Sequence, residues 1–134
     1  MARRLKRGRS FGFTLLEMMI VIIIMGILLS IALPIYNQAL VRARESVLKN
    51  DLFELRKLIS QYTLDKQKAP QSLDDLVSGG YIKAIPKDPM TGETNWEVVQ
   101  EDVLLTVDQQ DPGIDDVKSA STAMSTEGTA YNTW

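Results

Sequence analysis

The sequence predicts an α+β protein: a long N-terminal α-helix, transmembrane and then amphipathic, packed on a small antiparallel β-sheet head. Three observations predict it. An unbroken apolar run spans Phe13–Leu33, a one-sided apolar stripe follows from Val41 to Tyr62, and the remainder carries short strand patterns between glycines and prolines. The boundaries expected from them are a basic arm at 1–12, a membrane helix at 13–34, its amphipathic extension at 35–65 and a head at 66–134.

The apolar run reads FTLLEMMIVIIIMGILLSIAL, with Glu17 its only charge. About 20 such residues cross a bilayer core as a helix. A chain of 134 residues is too short to wrap a helix that is apolar on every face. The run is too long for the apolar part of a secretory signal, and Ile31-Ala32-Leu33-Pro34 is not a small-residue cleavage site. A small residue, Gly12, instead stands between the arm and Phe13; cleavage there would keep the helix and remove only the arm. Arg3, Arg4, Lys6, Arg7 and Arg9 make that arm basic, whereas Ala69–Trp134 holds three lysines against twelve acidic residues, a balance of −9. This asymmetry predicts a cytoplasmic N-terminus and an acidic head on the other side, and it argues against a nucleic-acid partner.

Past Pro34, a proline that should bend or loosen the helix, the pattern turns amphipathic. Val41, Leu48, Leu52, Leu55, Ile59 and Tyr62 form one stripe, broadened by Phe53 and Leu58, and charges fill the other faces. Glu45 and Lys49 are read among those charges as an exposed i, i+4 pair. Gly26 and Ser30 have the spacing that permits close helix approach in a membrane, or are incidental. Pro70 closes the helix region. A short helix should start at Ser72, with an acid three residues on, and stop at Gly79-Gly80. A turn follows at Thr91-Gly92. Strands are expected at Asn95–Gln100 and Val103–Val107, joined by a tight turn at Glu101-Asp102.

The chain has no cysteine and no histidine. That excludes disulfides, thiolate or imidazole metal sites, and nucleophilic schemes built on Cys or Ser-His. Adjacent carboxylates such as Asp115-Asp116 point apart, and no binding pocket is evident, so the chain is not read as an enzyme. Glu17 is the residue that most needs an explanation. A lone carboxylate inside a membrane helix costs about 2.5–3.5 kcal/mol at the centre, and less near an interface. It either snorkels to the headgroups or pairs with a cation from another chain. Cleavage after Gly12 would create such a cation at the Phe13 amine.

Gly12-Phe13-Thr14-Leu15-Leu16-Glu17, behind a basic leader and ahead of an apolar helix, resembles the processing signature of type IV pilins and pseudopilins. The resemblance implies a pilin-like fold, cleavage between Gly12 and Phe13 by a prepilin peptidase, N-methylation of Phe13, and filament assembly through Glu17. Gly-Tyr-Ile at 80–82, Ile-Pro-Lys-Asp-Pro at 85–89, the Thr91-Gly92 turn and the closing Tyr131–Trp134 are similar to the major, G-type pseudopilin of type II secretion. That likeness implies an inner-membrane subunit of a homopolymeric, periplasm-spanning filament. Its expected partners are its own copies, minor pseudopilins and an ATPase-driven inner-membrane assembly platform. The alternatives are a type IV pilin or minor pseudopilin and, in another class, a monomeric membrane-tethered binding module. The resemblance also raises a structural calcium ion, with Asp108, Asp111, Asp115, Asp116 and Glu127 as oxygen donors. The preferred expectation is no cofactor: a solvated acidic loop held by Tyr131 and Trp134.

Overall fold

The computed structural model describes residues 12–101 and 112–134. The chain divides into two compact units, Met1–Gln38 and Ala39–Trp134. The element order is α1 (Leu15–Lys66), α2 (Asp74–Ser78), β1 (Glu97–Gln100), β2 (Ile114–Lys118) and a closing 3₁₀ turn (Tyr131–Thr133).

In the first unit α1 is apolar and unshielded. Its side chains from Leu15 through Leu33 are exposed, and none of its most apolar window is buried inside the protein. Among the described residues it is the one helix long and apolar enough to cross a membrane. Pro34 lies within it.

In the second unit the stripe on α1 becomes the core. Leu48, Leu52, Leu55, Ile59 and Tyr62 are buried and meet Leu73 and Leu76 around α2, Trp96, Ile114, Val117 and Tyr131. Leu58 packs at the edge of this core, as its place beside the stripe predicts. Phe53 does not: it is exposed, because it falls on the far side of the helix from Leu52 and Leu55. Val41, at the head of the stripe, is also exposed. The helix ends where Gln67 turns left-handed at φ 55°, with its side-chain amide donating to the Leu64 carbonyl at 2.7 Å.

α2 starts at Asp74, not Ser72: its N-cap is Leu73 with no side-chain cap, and of the expected capping box only the acidic half is present, the Asp75 carboxylate accepting the backbone N–H groups of Gln71 and Ser72. At the other end of α2 the left-handed residue is Gly80, φ 78°, not Gly79. Gly80 N–H reaches the Val77 carbonyl and Tyr81 N–H the Leu76 carbonyl, so the paired bonds of a Schellman ending are both present. The expected turn at Thr91-Gly92 is also present. Gly92, φ 75°, donates its N–H to the Asp88 carbonyl at 2.7 Å.

The sheet uses a strand, β2, that the sequence pattern does not mark. β1 runs antiparallel to β2, with Val98 opposite Val117. The expected strand at Val103–Val107 and residue Asp102 of the tight turn lie outside the described residues. Between Val99 and Gln100 the register shifts, leaving Asp115 as an extra residue on β2. That bulge explains why Ile114 and Val117, three apart, are both buried where strict alternation would expose one. Strand alternation in the sequence could not reveal it.

Candidate functional site

Two constellations carry the chemistry, one in each unit. In the first, Gly12-Phe13-Thr14 precedes the helix, so the Gly12–Phe13 peptide bond lies outside it. Phe13 is 75% exposed. Thr14 is the residue that starts α1: its hydroxyl oxygen accepts the Glu17 N–H at 3.1 Å, and its carbonyl accepts the Met18 N–H. Thr14 and Glu17 therefore stand as N-cap and N3 of a Thr-x-x-Glu capping arrangement. The Thr-x-x-Glu spacing is the sequence signal for the Thr14 cap. Glu17 is exposed in the first turn, where the positive end of the helix dipole offsets part of the cost of an apolar setting.

The second constellation is centred on Glu45. Contrary to the exposed pair with Lys49 expected from spacing, Glu45 is 5% exposed and its carboxylate faces the C-terminal segment. Its Oε1 accepts the Thr126 N–H at 2.7 Å and the Tyr131 hydroxyl at 2.9 Å, and its Oε2 accepts the Thr126 hydroxyl at 2.5 Å. Lys49 pairs with Glu127 at 2.5 Å and stands 4.6 Å from the centre of the Trp134 ring. Two turns further along the same helix, Arg56 binds Asp116 at 2.5 Å and donates to the Trp134 backbone oxygen at 2.6 Å. Tyr131 and Trp134, the residues expected to hold the acidic loop, have rings in edge-to-face contact at 5.2 Å, and Trp134 Nε1 donates to Thr129 Oγ1. A signal for Glu45 did exist. The stripe's first step, from Val41 to Leu48, is seven residues, and 45 is the position that fills it.

A second buried carboxylate shapes the loop ahead of β1. Asp88, fully buried, accepts the Ser119 hydroxyl and the Met90 N–H. Trp96 donates to the Pro86 carbonyl across the same loop. Of the calcium candidates, Asp108 and Asp111 lie outside the described residues. Asp115 is exposed, and Asp116 is taken by Arg56 and by its neighbour's Val117 N–H.

The carboxyls of the head titrate in opposite senses. Burial alone would raise Glu45; the Thr126 and Tyr131 hydrogen bonds, helped by Lys49, outweigh it and hold the group below its ordinary 4.5. Burial and the nearby Asp115 push Glu101 above 4.5, while burial with Glu54 and Asp88 pushes Asp51 above 3.8. A lowered carboxyl contributes stability above 4.5 that is lost as pH falls through its folded value; raised carboxyls cost stability near neutrality and are relieved as pH falls through theirs. Thermal melts taken from neutral into acid should therefore show no loss at first, then a steep fall below 4.5. Glu45→Gln should flatten that fall, and an unchanged acid limb in the variant would refute the assignment.

A sequence profile for the prokaryotic N-terminal methylation motif matches residues 7–33. Among curated proteins, the chain is 36% identical over 101 residues to type II secretion system core protein G of Aeromonas hydrophila, covering 63% of this chain and 71% of that one. The protein of the same description from Klebsiella michiganensis is 31% identical over 134 residues, covering 84% of this chain and 93% of its own length. That of Vibrio cholerae is 35% identical over 99 residues, with 63% and 68% covered. No solved structure matches the chain.

Proposed function

The chain belongs to the type II secretion core protein G family, the G-type major pseudopilins, and from that membership we propose that it polymerises through its N-terminal helix into a filament that drives protein export across the outer membrane. Its place in a secretion system and its N-terminal methylation motif follow from the relatives. The apolar helix and these relatives together fit membrane anchoring.

Gly12, Phe13 and Glu17 each take one step. A prepilin peptidase cuts between Gly12 and Phe13, removing the basic leader, and Phe13 becomes the N-methylated terminus. The new amine is a cation at the membrane face, and Glu17 of a neighbouring subunit neutralises it. Two charges that are each costly in an apolar filament core are then removed as one pair. The apolar helices bundle, with an inner-membrane assembly platform and minor pseudopilins as further partners. The basic arm keeps the N-terminus cytoplasmic and leaves the acidic head periplasmic. The role is structural and not catalytic.

The observation that carries this proposal is the placement of the Gly12–Phe13 bond outside α1 with Glu17 exposed in the helix's first turn. A peptidase needs an unwound bond, and a neighbour's amine needs an accessible carboxylate. The test is the intact mass of the protein from membranes of its own host. A mass for a chain starting at Phe13 plus one methyl group supports the proposal. A full-length mass in cells with active prepilin peptidase overturns it and leaves a membrane-tethered module. Glu17→Ala should still be processed, yet yield no filaments by electron microscopy; filaments at parental abundance would remove Glu17 from assembly.

A further inference from the structure

We propose that the C-terminal loop of this chain is fastened to α1 by the buried Glu45 carboxylate and needs no structural calcium ion. Calcium needs six to eight oxygen ligands, several of them anionic. Among the described residues no three acidic side chains gather into such a group. Asp116 is committed to Arg56 and Glu127 to Lys49, while Ser119–Thr126 brings hydroxyls and methyls and no carboxylate.

The polarity of the loop is the stronger argument. Ser125–Thr129 folds into a tight turn, closed by Ser125 N–H to the Thr129 carbonyl at 2.7 Å and by Gly128 at φ 83°. That turn aims donors at the helix: the Thr126 amide and hydroxyl, joined by the Tyr131 hydroxyl, converge on one carboxylate. A cation would need acceptors there. An anion is what this geometry receives, and Glu45 supplies it from inside the chain. Lys49 and Arg56 flank it on α1 and take Glu127, Asp116 and the Trp134 backbone oxygen. Three side chains of one helix thus perform the cross-linking that a bound ion performs from within a loop.

The experiment uses the full-length chain in detergent micelles, followed by tryptophan fluorescence during heating. Melts in millimolar calcium chloride and in excess EGTA should superimpose. Glu45→Gln sets an amide donor against the loop's donors and should lower Tm by about 5–10 °C. Calcium should not restore that loss, and protease should cut the variant faster within Ser119–Ala130. Tyr131→Phe removes one donor without disturbing the fold and should give a smaller loss in the same direction. A Tm raised by calcium or lowered by EGTA in the parent chain would overturn the proposal. So would Tyr131→Phe and Glu45→Gln chains that both melt with the parent.

Discussion

Gly113→Ala should unfold the head at temperatures where the parent chain stands. A Cβ at this position would lie 2.4 Å from the Ala69 Cβ and 2.9 Å from both the Ala69 carbonyl carbon and the Pro70 oxygen. Two of those three atoms are backbone, and Ala69 and Pro70 are both buried, so nothing flexible can move aside. The strand cannot step away either, since Ile114 N–H donates to that same Pro70 oxygen at 2.8 Å and Glu101 N–H to the Gly113 carbonyl. Overpacking usually costs about 1–3 kcal/mol, and contacts against backbone belong at the upper end. At about 4–8 °C per kcal/mol for a domain of this size, Tm should fall by roughly 10–20 °C. Adding Ala69→Gly removes the shortest contact and should recover part of the loss. A single variant that melts with the parent would mean that β2 and the Ala69-Pro70 segment do not approach so closely.

The second large effect is expected from Leu55→Ala. Leu55 is 1% exposed, midway along the buried row from Leu48 to Tyr62. Removing its branched end should cost about 2–5 kcal/mol, a transfer loss plus a cavity that the neighbouring Leu52 and Ile59 fill incompletely. Phe53→Ala is the paired control. It deletes a larger apolar side chain from the same helix, but one that is 69% exposed, so its cost should stay within about 0.5 kcal/mol. Urea unfolding of both variants in the same micelles separates the two outcomes. Equal losses would mean that Phe53 shares the core and that the helix faces are wrongly assigned.

Local pattern explains how much was legible in advance. The apolar run, the Gly12-Phe13-Thr14 segment ahead of it, the Val41–Tyr62 stripe, the glycine ending of α2 and the turn at Gly92 each depend on residues within a few positions of one another. The Thr14–Glu17 cap and the empty tooth of the stripe at 45 were equally local. Both follow from spacing: a threonine three residues before a glutamate, and a position four residues after Val41 and three before Leu48.

Neighbouring residues alone mark the long helix and the side of its second half that faces a core. Helical and strand periods, turn glycines and charge asymmetry are properties of neighbours in the chain, and they need no partner to be read. Folding alone brings β1 to Ile114–Lys118, leaves Gly113 no room for a side chain, and gives Glu45 Thr126 and Tyr131 in preference to Lys49. Each of these joins residues many positions apart, Glu45 and Tyr131 by 86. A carboxylate four residues before a lysine has the same spacing whether water or a folded loop faces it. Burial alone separates the two, because it removes the water and makes converging donors the better partners.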